Sequence, residues 1–258
     1  ASDAWYWLDS VNNGAMAVSK DVYQDSNGGK WVRYDANGHM VKGWNTNEKG
    51  TYYFDLVTGA MVKGMCTIDG IPCAFDTTTG IGLDKQWVNI NGDKFWYEGG
   101  KRQGTTGRGK EIYDPDSDAW YWLDANQGGA KAVSKDVYQE SEAGDWAENA
   151  DGTGKWVRYD ANGHMVKGWD TNNDGTYYFD QVYGTMAKGI VTIDGNLYLF
   201  DVDTGVMQAS ITTSEEAMAD RVIELVNQER TSRGLQPLVK DDRLMAVSYT
   251  HLRAHETG

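Results

Sequence analysis

The chain repeats itself on two scales, and this constrains its fold more than any other feature. A polypeptide made of copies of a short unit stacks those units side by side rather than wrapping one large core. An aromatic residue followed by an acid marks the short period. Tyr34-Asp35, Phe54-Asp55, Phe75-Asp76 and Tyr97-Glu98 fall 20, 21 and 22 residues apart, and Tyr159, Phe179 and Phe200, each followed by Asp, continue at 20 and 21. The long period is a near-copy: DAWYWLD at 3–9 returns at 118–124, and KWVRYDANGHMVKGW at 30–44 returns at 155–169. The offset grows from 115 to 125, so residues are inserted around Glu140 to Gly154, and their acidic, Gly-bearing composition predicts a surface loop.

Each short unit reads as an aromatic strand, a turn and a return strand. In GTYYFDLVTGAMVKG at 50–64, Tyr52, Tyr53 and Phe54 favour a strand, Thr58-Gly59 supplies a turn, and Ala60-Met61-Val62 runs back. A lone hairpin of this size is marginal in water, so successive hairpins must bury their aromatic faces against one another. The expected fold class is all-β, a solenoid of aromatic hairpins. All 11 Trp and 14 of the 15 Tyr precede residue 200, and mean hydropathy is −0.61, so packing rests on aromatic rings rather than on a thick aliphatic core.

The net charge of −14 excludes nucleic acid as a partner, because a phosphate backbone needs a basic surface. It is compatible with a cationic or neutral ligand such as a quaternary amine or a sugar. No run of eighteen apolar residues is present, so no membrane span is expected. The chain starts inside a repeat with no visible signal peptide, which predicts a processed or incomplete N-terminus.

Gly43-Trp44 followed by GTYYFD and TGAMVKG, and Gly168-Trp169 followed by GTYYFD and YGTMAKG, resemble the choline-binding and glucan-binding cell-wall repeats. The resemblance covers residues 1–209, as a first long repeat over 1–112 and a second over 113–209. It implies a secreted, cell-wall-associated bacterial module, without catalytic activity or cofactor, that binds teichoic acid choline or glucan. In that family the ammonium sits among Trp and Tyr faces and is held by cation–π attraction. The residues this points to are Trp31, Trp44, Tyr52 and Tyr53 in the first copy, with Trp156, Trp169, Tyr177 and Tyr178 in the second. Thr51 and Thr176 stand where the family places a strand Trp, and Arg33 and Arg158 replace part of a Tyr pair. A structural stacking role for most of these rings therefore stays open beside the binding role, as do a ligand-free spacer and a targeting region for an enzyme domain lying elsewhere.

Other constellations read more plainly. Counting outward from the Asp69-Gly70 turn sets Cys66 opposite Cys73, close enough for a disulfide in an exported protein; two free thiols packed as small apolar residues is the alternative. Asp170, Asn172, Asp174 and Gly175 copy the opening of a calcium loop, but Gln181 stands at its twelfth position, so a polar turn is expected and no metal site is assigned. His39 and His164 occupy equivalent places, which points to a turn role. No nucleophile–base or paired-carboxylate arrangement stands out, and no enzyme activity is assigned.

From Thr212 the pattern changes. Thr213 and Glu216 form a capping box, and Met218, Val222, Leu225 and Val226 share a helix face that Gly234 and Pro237 end. Val226-Asn227-Gln228-Glu229-Arg230, Gly234-Leu235 and Pro237-Leu238 resemble the opening of the CAP superfamily, the cysteine-rich secretory and pathogenesis-related fold. Residues 210–246 are thus expected to be a truncated start of such a domain, unable to perform its chemistry. Residues 247–258 include VSYTHLRAHET, similar to a translated sequencing adapter, and a non-native tail on a fragment assembled from environmental DNA is expected there.

Overall fold

The computed structural model describes residues 4–25, 28–140, 154–211 and 215–239. Most of the inserted loop, Thr213 of the capping box and the adapter-like tail lie outside the described residues. The chain divides into two compact units, Ala1–Val166 and Lys167–Gly258.

The first unit is a succession of antiparallel hairpins. They are β1 (Leu8–Asp9) with β2 (Ala15–Met16), β3 (Lys20–Gln24) with β4 (Lys30–Tyr34), and β5 (Gly43–Asn47) with β6 (Gly50–Phe54). They continue with β7 (Gly64–Ile68) and β8 (Ile71–Phe75), then β9 (Gln86–Ile90) and β10 (Asp93–Glu98) followed by the short β11 (Lys101–Arg102). After these come β12 (Lys110–Asp114), β13 (Ala119–Asp124) and β14 (Ala130–Lys131), and finally β15 (Lys135–Gln139) with β16 (Lys155–Tyr159).

The all-β expectation holds, with one addition. The strands from β7 to β14 join into a single eight-stranded sheet, because the short β11 and β14 pair back onto the preceding hairpin, β11 onto β8 and β14 onto β10. Gly99 and Gly100, both with positive φ, turn the chain sharply enough for β11 to do so. Asp69-Gly70 is a two-residue turn with both φ positive, which sets the register that the sequence predicts, Ile68 opposite Ile71 and Cys66 opposite Cys73.

Neighbouring hairpins are tied by backbone and by side chain. The N–H of Met40 donates to the carbonyl of Trp5 (2.9 Å), that of Met61 to Trp31 (2.7 Å), and that of Met165 to Trp120 (2.9 Å). The methionine of one hairpin also lies on a glycine in the turn of the next: Met16 on Gly38, Met40 on Gly59, Met61 on Gly80. Cores are correspondingly local. Val32, Tyr34 and Ala17 form one cluster with Met40, and Ile68, Cys73 and Phe75 form another with Trp44 and Tyr53.

The second unit contains β17 (Gly168–Asn172) paired with β18 (Gly175–Phe179), and the three-stranded β19 (Gly189–Ile193), β20 (Asn196–Phe200) and β21 (Met207–Ile211). Met186 lies on Gly205 as in the first unit. Helix α1 (Glu215–Ser232) follows. At its end the Asn227 side chain bonds both backbone groups of Leu238, and Arg230 Nε donates to the Gln236 carbonyl (2.8 Å), so the turn after the helix folds back on it. Val222 and Val226 on α1 are exposed. No helix among the described residues is long and apolar enough to cross a membrane.

Candidate functional site

Trp169 is the centre of an aromatic corner built by two hairpins of the second unit. It stands opposite Tyr178 in the β17–β18 register, with ring centres 5.1 Å apart and planes at 66°. The next hairpin adds Tyr198, 4.8 Å away at 68°, and the buried Phe200 at 6.1 Å. Trp169 nevertheless keeps 44% of its surface exposed. Among the described residues no ammonium or guanidinium lies over its ring. Three converging rings with an open face are chemically suited to a desolvated cation.

The corresponding place in the first unit is built differently. Trp44 pairs with Tyr53 at the same 5.1 Å and 66°, and Phe75 lies 5.9 Å from it. Where the second unit has Tyr198 opposite Val191, the first has Cys73 opposite Cys66. On the adjoining strand Lys101 stands opposite Cys73, whereas Ser210 stands opposite Tyr198. The Lys101 ammonium lies 4.4 Å from the centre of the Trp44 ring. This face already holds a cation, and the cation is the protein's own.

A third corner is absent from the sequence reading. Trp87 and Trp96 face each other across β9 and β10 at 5.0 Å and 66°, and Tyr121 on β13 lies 5.0 Å from Trp87 at 70°. This reproduces the Trp169 arrangement almost ring for ring. Here Lys131 Nζ approaches Tyr121 (5.2 Å) and Trp87 (5.7 Å), and also donates to the Asn162 carbonyl. Burial pushes the Lys131 ammonium below its usual range, with the nearby Lys94 charge adding to this. An aromatic pair across an Asn-Gly turn, QWVNINGDKFWY, was the available signal; Tyr121, 25 residues beyond Trp96, left none.

The other predicted residues lie elsewhere. Tyr52 and Tyr177 are the strand neighbours of Tyr53 and Tyr178, so the alternation of a strand turns them to the opposite face. Both are buried and stacked on Phe54 and Phe179 respectively, and the Arg33 guanidinium covers Tyr52 at 4.0 Å while bonding Asp21 and Asn45. Trp31 pairs across its hairpin with Tyr23, and Trp156 with Tyr138, each at 5.4 Å, and all four residues are exposed. The structure thus brings Trp44 to Tyr53 and Trp169 to Tyr178, and separates both pairs from Tyr52 and Tyr177.

Cys66 and Cys73 are free thiols in direct cross-strand opposition, and burial raises both above the usual range, which keeps them protonated and slow to react. Asn172 Oδ1 accepts from the N–H groups of Asp174 (2.9 Å) and Gly175 (3.2 Å), a polar hairpin turn. Among the described residues no group of three His, Cys, Asp or Glu side chains is placed to hold a metal. His39 and His164 each donate their backbone N–H to Asp35 or Asp160 (2.8 Å) and rest edge-on against Tyr6 or Tyr121.

With this geometry in place, the comparisons with known proteins become decisive for one segment. Residues 25–70 match the choline-binding repeat. That segment holds Trp44 and Tyr53, and its 30–44 portion is the stretch duplicated at 155–169 ahead of the Trp169 corner. Residues 25–70 are thus a segment of choline-binding-repeat type. Among solved structures, CbpJ from Streptococcus pneumoniae TIGR4 is 19% identical, covering 82% of this chain and 72% of its own, with a TM-score of 0.50. CbpF from Streptococcus pneumoniae, in complex with ipratropium, is 19% identical with 82% and 73% covered and a TM-score of 0.50. At this identity the likeness concerns the hairpin fold. No curated protein matches the chain.

Proposed function

We propose that this module attaches its parent protein to choline-bearing wall polymer outside the cell, and that the Trp169–Tyr178–Tyr198 corner takes the quaternary ammonium. The observation that carries this reading is the convergence of three rings on an exposed indole that no side-chain cation covers among the described residues. A trimethylammonium group presents a diffuse positive charge and no hydrogen-bond donor, so aromatic faces recognise it where carboxylates would prefer a hydrated cation. At Trp44 and Tyr53 the corresponding face is already covered by the Lys101 ammonium. The exposed pairs Tyr23–Trp31 and Tyr138–Trp156 offer flat rings of the kind sugars stack on, and they are the places a glucan chain would use.

The test is thermal unfolding across a choline series, with isomalto-oligosaccharide in parallel. A ligand bound only by the folded state raises the midpoint as its concentration rises. The expected result is a saturable rise with choline that Trp169→Ala removes. A rise with the oligosaccharide alone, lost on Trp31→Ala, moves the assignment to glucan; no shift with either rejects both.

The same reading makes α1 and its returning turn, anchored through Asn227 and Arg230, the opening of a CAP-like domain displayed by the repeats of residues 1–209. Oxidising conditions outside the cell would link Cys66 to Cys73, which stand directly opposite each other in the β7–β8 register. Sequencing the intact gene and mapping alkylated peptides test these two assignments.

A further inference from the structure

Two of the three aromatic corners hold a lysine of the protein itself, and the copy relationship shows that one of these lysines is a departure from the repeat. Lys131 is the counterpart of Met16 at the offset of 115. Both side chains lie on the glycine of the next turn, Met16 on Gly38 and the Lys131 methylenes on Gly163. The lysine therefore retains the methionine's packing through its aliphatic stem and adds an ammonium at the tip. That tip reaches the corner of Trp87, Trp96 and Tyr121, whose ring geometry matches the lysine-free corner at Trp169 to within a few tenths of an ångström and a few degrees.

We infer that Lys131 is a tethered occupant that keeps a complete second ammonium-binding corner, Trp87–Trp96–Tyr121, closed to external cations. This rests on the reading that such three-ring corners accept quaternary ammonium ions. A tethered cation competes at high effective concentration, so an untethered ligand of modest affinity does not displace it. The Asn162 carbonyl holds the ammonium in place, giving it a hydrogen-bond acceptor that a trimethylammonium group lacks the donor to use. Lys101 over Trp44 is the same device on a corner that has also lost its third ring to Cys73. The number of ligands the chain takes is then set by lysine positions as well as by aromatic ones.

The experiment is calorimetric titration of choline chloride into the whole chain and into Lys131→Met, Lys131→Arg, Trp169→Ala and the double variant Lys131→Met/Trp169→Ala. Methionine is the residue found at the equivalent position, so the variant retains the packing on Gly163. Lys131→Met should bind one more equivalent of choline than the unaltered chain, and Lys131→Arg should bind no more. A double variant that binds while Trp169→Ala does not upholds the inference. Should the double variant bind with no Trp169-dependent site in the unaltered chain, the inference stands and the Trp169 assignment falls. An unchanged stoichiometry in Lys131→Met, with Trp169-dependent binding intact, overturns the inference alone; no binding by any variant overturns both. A ligand-free readout is the ring-current shift of the Lys131 ε-protons, expected upfield and reduced in both Tyr121→Ala and Trp87→Ala; ordinary lysine shifts would also overturn it.

Discussion

The sulfur of Met40 fills the space that a β-carbon on Gly59 would need. The glycine also has φ of 66°, a conformation that costs an L side chain. Contact and conformation together explain why the Thr-Gly-x-Met string recurs: the glycine of one turn receives the methionine of the hairpin before it. Gly59→Ala should therefore destabilise the first unit by more than about 1 kcal/mol, seen as a lower denaturant midpoint. Adding Met40→Ala relieves the clash but not the backbone strain, so the double variant should fall short of additivity.

Tyr198→Cys gives the second unit the residue found at Cys73. The corner around Trp169 loses one ring, and choline affinity should fall by about 0.5–2 kcal/mol, the range of a single cation–π contact. Fluorescence titration measures this, and an unchanged affinity would remove Tyr198 from the site.

Lys155 is 1% exposed and sits 3.7 Å from Glu111, which also accepts hydrogen bonds from Gln139 (2.9 Å) and Tyr159 (3.3 Å). Glu111→Ala removes the carboxylate beside this buried ammonium together with the acceptor used by Gln139 and Tyr159, and should lower the urea midpoint. The first copy has a half-buried Lys30 at this place, bonded to the Thr58 carbonyl, and truncating it should cost less.

Asp55, Asp76 and Asp201 close equivalent turns. Each carboxylate accepts first from the backbone N–H and then from the hydroxyl of the Thr three residues on, and each is held below the usual carboxylate range. Because the folded-state value lies below the unfolded one, near about 3.9, their stabilisation is complete above that pH and disappears as pH falls through the lower folded value. Melting temperature should decline below about pH 4. Replacing all three with Asn should flatten that decline; an unaltered acid limb would place the titrating groups elsewhere.

The hairpins and their registers were legible because local chemistry decides them. Asp69-Gly70 fixes its own turn, and Cys66 and Cys73 follow by counting. The corners were legible only within one hairpin, where Trp44 meets Tyr53 and Trp169 meets Tyr178. Tyr198 and Lys101 arrive from later hairpins, 29 residues beyond Trp169 and 57 beyond Trp44, through pairings that no local pattern encodes. Grouping Tyr52 with Tyr53, and Tyr177 with Tyr178, neglected the strand alternation that turns neighbouring side chains apart.

Each methionine–glycine contact and each Met N–H to Trp carbonyl bond described above joins adjacent hairpins, so these ties depend only on the hairpin next to them. Whole repeats are thus interchangeable parts, and copying or excising one changes the valency of attachment by a discrete step while leaving the remaining folds intact. A lineage carrying such a chain would tune its grip on a surface through recombination between near-identical segments, and through single lysine codons that silence a corner without dismantling it.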